Sequence, residues 1–168
     1  MQTDGVAYVL EALICDGGAD RADFAVTVEL AAGLRLIPLT ASNRDSMVGD
    51  DAAVRDSRLM GFEQLDSTTV TTAERISESG RVAYVHAEFH GGVGFQAAVA
   101  WQDGQVGCGP VFTTNHEAER QTHLYEIVAP ANGAINIALR FLGVALREGC
   151  IDEFDVVGLG RHRFTEDW

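Results

Sequence analysis

The stretch Arg81-Val82-Ala83-Tyr84-Val85-His86-Ala87-Glu88-Phe89-His90-Gly91-Gly92-Val93-Gly94-Phe95-Gln96-Ala97-Ala98-Val99-Ala100-Trp101 decides the fold. From residue 82 to residue 90 the pattern alternates strictly. Ala83, Val85, Ala87 and Phe89 share one face, and Tyr84, His86, Glu88 and His90 share the other. A period of two marks a β-strand with two distinct faces. Gly91-Gly92-Val93-Gly94 reads as a loop needing positive φ, and residues 96–102 read as the returning strand. Pairing His90 with Gln96 sets Phe89 opposite Ala97, Ala87 opposite Val99 and Val85 opposite Trp101. It leaves Glu88, His90, Gln96 and Ala98 on the other face. A one-residue slip would place Phe89 against Gln96, so this register is the expected one. Asp103-Gly104 is a tight-turn dipeptide. It leads into a third strand over residues 105–112, weakened in its far half by Gly107, Gly109 and Pro110.

Upstream, residues 6–15 form an apolar, β-compatible run, and residues 23–30 alternate with Phe24, Val26, Val28 and Leu30 on one face. Asp16-Gly17-Gly18-Ala19-Asp20 between them is a turn signal, so the two runs predict an antiparallel hairpin. Residues 34–39 give a further short strand that Pro38 should place at an edge or terminate. Residues 40–61 read as a loop with one helical turn between positions 50 and 59. Thr71 and Glu74 make a capping box for a short helix, with Gly80 as its stop. Downstream, residues 117–128 are mildly helical. Asn132 can cap a helix over residues 133–148, stopped by Gly149. Its polar positions Asn136, Arg140, Gly143 and Arg147 form one narrow stripe, so that helix should be largely buried. Residues 154–159 read as a last strand. The sum is one α+β domain over residues 1–168: an antiparallel sheet of meander hairpins with a long buried C-terminal helix packed on one face.

The 168 residues carry 25 acidic and 12 basic side chains, for a net charge of −13; every basic residue is arginine. A sequence pI of about 4.6 argues against nucleic acid and against an anionic membrane surface as partners. No apolar run reaches the ~20 residues of a membrane-spanning helix, and Met1-Gln2-Thr3-Asp4-Gly5 lacks the basic start of a signal peptide. Cys15, Cys108 and Cys150 show no C-x-x-C spacing and read as reduced core residues of a cytoplasmic protein. The charge is uneven along the chain. Residues 1–33 carry −5, residues 61–80 carry −3, residues 81–112 carry −1, and residues 113–168 carry −4. Acidity offered to a partner should therefore come from the first hairpin and the C-terminal half.

Three groups of side chains could carry chemistry. His86, Glu88 and His90 on one strand face are ligand types for Zn²⁺ or Fe²⁺, though two alternate strand residues ordinarily need a third ligand from elsewhere. A solvated or interface sheet face explains them equally. Gly91, Gly92 and Gly94 could cradle an anion, or simply serve the hairpin. With Tyr84, Glu88, His90 and Gln96 beside them they make the best candidate patch. Arg161, His162 and Arg163 form the one basic cluster, with Asp152, Glu153 and Asp155 as expected partners. His116 and His123, seven apart, read as structural or solvated. No G-x-S-x-G motif is present. No catalytic residue, metal site or cofactor is assigned.

Residues 83–96, residues 152–163 with Thr165-Glu166-Asp167-Trp168, and residues 134–136 through 143–144 resemble a family of small acidic actinobacterial proteins similar to immunity-type proteins of bacterial toxin systems. The resemblance covers roughly the last half of the chain. It implies a cytoplasmic, non-enzymatic binding protein that neutralises a basic toxin domain by occlusion, since acidic charge steers association with a cationic partner. The alternatives are a small enzyme or metal-dependent protein using His86, Glu88 and His90, and a homo-oligomeric accessory subunit.

Overall fold

Both faces of the sheet are buried, and the central strands show why. In β1 (Tyr8–Cys15), Leu10, Ala12 and Ile14 point to one side while Leu13 and Cys15 point to the other, and all five are fully buried. A strand apolar on both faces must be covered on both. The computed structural model describes residues 7–17, 24–47, 61–116, 126–127 and 132–168. It places the remaining strands as β2 (Val28–Glu29), β3 (Arg35–Pro38), β4 (Arg81–His90), β5 (Val93–Gln102), β6 (Gln105–Thr114) and β7 (Glu126–Ile127). The helices are α1 (Ala41–Ser46), α2 (Ser67–Ser77), α3 (Ala134–Phe141) and α4 (Glu153–Val157). The sheet order is β2-β3-β1-β4-β5-β6-β7; the first six strands are antiparallel neighbours, and β7 lies parallel to β6.

One core packs Ala83, Val85, Ala87, Ala98 and Ala100 under Ile135, Leu139 and Leu142 of the α3 segment and Val156 and Val157 of α4. Small side chains on the sheet let the helices approach closely. The opposite core packs Tyr84, Val99, Trp101 and Phe112 with Ala73 and Ile76 of α2 and with Phe62 and Leu65. The result is an α+β architecture of three layers.

Several expectations are corrected. Residues 6–15 and 23–30 do not form a hairpin: β3 lies between β1 and β2, and among the described residues of the second run only Val28 and Glu29 are strand. Pro38 does end β3. α1 forms where a loop was expected, because the Thr40 side chain caps Asn43 N–H; the expected turn at 50–59 lies outside the described residues. The N-cap of α2 lies five residues before the expected capping box, at Asp66, whose carboxylate accepts from Thr69 N–H at 2.7 Å. The β-branched run is thus helical because a stronger cap precedes it. Glu126 and Ile127 are strand, not helix; the rest of the mild helix expected over 117–128 lies outside the described residues, as does His123.

The long C-terminal helix is in fact the eight residues of α3. Gly143 takes φ +92°, Gly143 N–H reaches Arg140 O and Val144 N–H reaches Leu139 O, both at 3.0 Å. That double bond pattern is the Schellman stop, and the glycine placed in the polar stripe is the residue that ends the helix. Residues 154–159 are not a strand. Asp152 caps Asp155 N–H at 2.9 Å, and Gly158 at φ +76° terminates α4.

The β4–β5 register is shifted by three residues from the expected one. His90 pairs with Val93, Phe89 with Gly94, Glu88 with Phe95, Ala87 with Gln96 and His86 with Ala97. The connection is two residues, Gly91 (φ +62°) and Gly92 (φ +83°), the geometry that matches strand twist. Val93 and Gly94 belong to β5. Asp103 (φ +54°) and Gly104 (φ +73°) make the equivalent turn to β6, which continues to Thr114 past register shifts opposite Ala98 and Ala100.

Candidate functional site

The corrected register divides the expected patch between two faces. Tyr84, His86, Glu88 and His90 lie on the α2 side, and Gln96, opposite Ala87, lies on the α3 side. Gln96 therefore does not join Glu88 and His90. On the α2 side, Tyr84 is fully buried and donates its hydroxyl to Glu11 Oε1 at 2.7 Å. Glu11 also pairs with Arg44 at 2.6 Å, and Arg44 reaches Asp66 at 3.4 Å. Burial raises the Tyr84 pKa well above its ordinary value, with the Glu11 charge and hydrogen bond adding to it. Burial works against the charge on Arg44, but the Glu11 hydrogen bond and charge outweigh it and hold its pKa up.

His86 is buried with its ring edge-on to Phe95, and its Nε2 lies 3.1 Å from Glu88 Oε1. His90 is exposed beside the turn. Two ligand-type side chains thus meet, and among the described residues no group of three His, Cys, Asp or Glu could hold a metal ion. The glycine loop is not an open anion cradle. Asn115 spans it, accepting from Gly94 N–H at 2.8 Å and donating to Gly92 O at 2.6 Å.

The basic cluster docks as a tail. Val9 N–H donates to Arg163 O at 2.7 Å, and Thr165 Oγ1 accepts from Glu11 N–H at 3.0 Å. Arg161 lies over the Trp168 ring at 5.4 Å, and His162 meets the same ring edge-on. Asp152, Glu153 and Asp155 do not pair with these arginines. Asp152 accepts from Asn136 Nδ2 at 3.1 Å, Asp155 accepts from Ile151 N–H at 3.0 Å, and Glu153 binds Arg140 at 2.8 Å.

The Arg140 hydrogen bond holds the Glu153 carboxyl below its ordinary range, against the effect of burial. A depressed folded-state pKa contributes stability that is present above the unfolded value and is lost as pH falls through the folded one. Glu153→Gln is expected to cost about 1 kcal/mol at neutral pH, since Arg140 is partly solvated. The difference from wild type should close below a pH of about 4. Urea midpoints across pH 3–7 measure this; a gap that persists unchanged at the acid end would refute the ion-pair account.

A cavity of about 400 Å³ lies on the α3 side, where β5 and β6 meet the start of α3 and the α4 segment. Tyr8, Phe89 and Phe154 form its aromatic wall, with ring centroids 6.4 Å apart for Tyr8–Phe89 and 5.8 Å for Tyr8–Phe154. Tyr8 donates to Leu159 O at 3.0 Å, and burial raises its pKa. Gln96 and Thr113, directly paired across β5–β6, give the polar wall. Their oxygens cap α3: Thr113 Oγ1 accepts from Ala134 N–H at 2.9 Å, and Gln96 Oε1 accepts from Ile135 N–H at 3.1 Å. Strand side chains thus satisfy helix N–H groups that Gly133, the N-cap residue, has no side chain to reach. Sequence reading found Gln96 and Gly94 but not Tyr8, Thr113 or Phe154, because only the folded sheet brings them together.

Fold and site together define an α+β protein with a two-sided sheet, a partly buried Glu11–Arg44–Tyr84 network on one face and an aromatic-walled cavity on the other. No protein-family model, no curated protein and no solved structure matches the chain.

Proposed function

We propose that this chain is an acidic, non-enzymatic binding protein of the immunity type, which occludes a basic toxin domain in the cytoplasm. One observation carries the reading: four arginines are spent on carboxylates of the same chain, while eight exposed acids are left without an arginine among the described residues. Arg35, Arg44, Arg81 and Arg140 each pair with a carboxylate of the same chain. The exposed Asp45, Glu63, Glu74, Glu78, Asp103, Glu148, Glu166 and Asp167 make no ion pair among the described residues. Such a field attracts a cationic partner. Free thiols at Cys15, Cys108 and Cys150 agree with a reducing compartment.

Of the surface the charge segments suggested, Glu148, Glu166 and Asp167 of the C-terminal half are exposed, and Asp4, Asp20 and Asp23 of the first segment lie outside the described residues. Glu11, Asp16 and Glu29 of the first segment are consumed internally. The end of α2 is better placed. Glu74 and Glu78 are exposed there, and the Asp103 turn is tied against it by Asp103 N–H to Ser77 O at 2.9 Å and Gly104 N–H to Ser77 Oγ at 3.0 Å. Carboxylates at a helix C-terminus oppose the helix dipole, so helix stability does not call for them, and recognition of a cationic partner would give them a use.

Co-expression with the product of the adjacent gene tests the reading. The expected result is a stoichiometric complex whose affinity falls by about tenfold or more from low to high salt. The triple change Glu74→Gln, Glu78→Gln, Asp103→Asn should slow association without altering folding. A complex indifferent to salt and to these changes, or no complex, would overturn it.

A further inference from the structure

The aromatic-walled cavity lies apart from the acidic surface, and its chemistry is specific. Its polar groups are not spare solvent-facing side chains but are oriented by the fold. The α3 N–H groups fix the oxygens of Gln96 and Thr113. Fixing Gln96 Oε1 at Ile135 N–H settles which end of the amide is which and leaves its NH₂ group facing away from the helix. Neither that NH₂ group nor the Thr113 hydroxyl hydrogen has an acceptor among the described residues. Two donors on directly paired residues therefore converge on the cavity. A lone helix N-terminus would attract an anion, but here its first free N–H groups are already taken. No cationic side chain lines the cavity among the described residues, and the one ionisable carboxylate, Asp152, would repel an anion. A volume of about 400 Å³ falls within the ~300–1,000 Å³ of small-molecule sites.

We propose that this cavity binds a small, uncharged, flat ligand bearing a carbonyl acceptor, of the cyclic-amide class. Its rings lie against Tyr8, Phe89 and Phe154, and its carbonyl oxygen accepts from Gln96 Nε2 and Thr113 Oγ1. The Tyr8 ring meets Phe89 at 59° and Phe154 at 60°, so a planar molecule can stack on one ring and meet its neighbour edge-on. A cage for a cation would need the rings held apart around it. The proposal stands independently of the protein partner.

Calorimetric titration of the full chain with four probes of matched size tests it: 2-quinolone, naphthalene, 2-naphthoate and trimethylphenylammonium. The expected result is saturable 1:1 binding of 2-quinolone, with naphthalene weaker by about tenfold or more, the value of a charge-free hydrogen bond in a desolvated site. Neither ion should bind more tightly than 2-quinolone. Gly160→Leu should abolish binding with little effect on folding. Gly160 is not at positive φ, and among the described residues a Cβ there meets only Phe154 Cε1, at 3.9 Å; since Gly160 lines the cavity, a leucine there should narrow it. Gln96→Leu should remove the preference for 2-quinolone over naphthalene. Amide-proton NMR provides a second readout, with the largest 2-quinolone shifts expected at the Gln96 side-chain NH₂. Absence of saturable 2-quinolone binding would overturn the proposal. So would binding unaffected by Gly160→Leu, equal affinity for naphthalene, or tighter binding of either ion.

Discussion

Gly94→Ala is expected to destabilise the fold by about 3 kcal/mol or more, at or above the top of the usual range for overpacking. A Cβ at position 94 would sit 1.9 Å from Glu88 O and 2.7 Å from Phe89 Cα. Both are backbone atoms of β4, so no side-chain rotation relieves the contact, and β4 and β5 must separate where they leave the hairpin. Gly91 supplies the control. It sits in the adjoining turn at φ +62°, where a Cβ would have nothing within 4 Å among the described residues, and asparagine tolerates that conformation. Gly91→Asn should cost less than about 1 kcal/mol. Urea denaturation of both variants at constant m-value separates them. Equal costs would mean that position 94 lies in an open four-residue loop, as the alternation pattern alone suggests.

That contrast shows where sequence reading succeeds and where it stops. Alternation over residues 82–90 identifies β4 correctly, because period two is a local property of the backbone. It does not fix the register, because both faces of this sheet are buried. Ala97, Val99 and Trp101 pack on the α2 side and Ala98 and Ala100 on the α3 side, so sliding the strand keeps apolar side chains in apolar surroundings either way. The deciding information is the Gly91-Gly92 turn, which is legible as chemistry but outweighed by the hydrophobic count. The same priority misreads residues 154–159. Their apolar run suggests a strand, while Asp152 before it and Gly158 within it are a cap and a stop. Gly143 falls within a polar stripe although it ends α3. Charge is legible in amount but not in pairing, since which arginines are neutralised within the chain depends on contacts such as Arg44 to Glu11, 33 positions apart in the chain. The cavity is illegible as a whole. Tyr8, Phe89, Thr113 and Phe154 come from β1, β4, β6 and α4, and nothing local joins them.

Glu11→Leu is expected to cost about 2–3 kcal/mol, because one carboxylate oxygen serves two partners. Glu11 Oε1 accepts from Tyr84 Oη at 2.7 Å and pairs with Arg44 Nη2 at 2.6 Å. Removing it strands the Tyr84 hydroxyl in a residue with no solvent exposure and leaves Arg44 with Asp66 at 3.4 Å and the Leu39 carbonyl at 3.2 Å. Breaking a fully buried pair costs about 3–5 kcal/mol. Here the side chains of Arg44 and Glu11 keep 30% and 15% exposure, which lets water recover part of that. A second substitution tests whether the three groups act as a unit. Tyr84→Phe alone removes one charge-assisted hydrogen bond and should cost about 1.5 kcal/mol. Introduced into Glu11→Leu, it removes a hydroxyl that has already lost its acceptor, so it should be neutral or stabilising. The expected coupling is therefore at least about 1 kcal/mol. Arg44→Leu in the same background should likewise recover stability, since it deletes a half-buried charge without its main counter-ion. Additive costs for Glu11→Leu and Tyr84→Phe would show that the hydroxyl finds another acceptor, and the network would then be two separate contacts. Strong coupling would make it the joint that locks β1 and β4 to α1 and to the Asp66 cap of α2, fixing the scaffold from which the acidic end of α2 is presented.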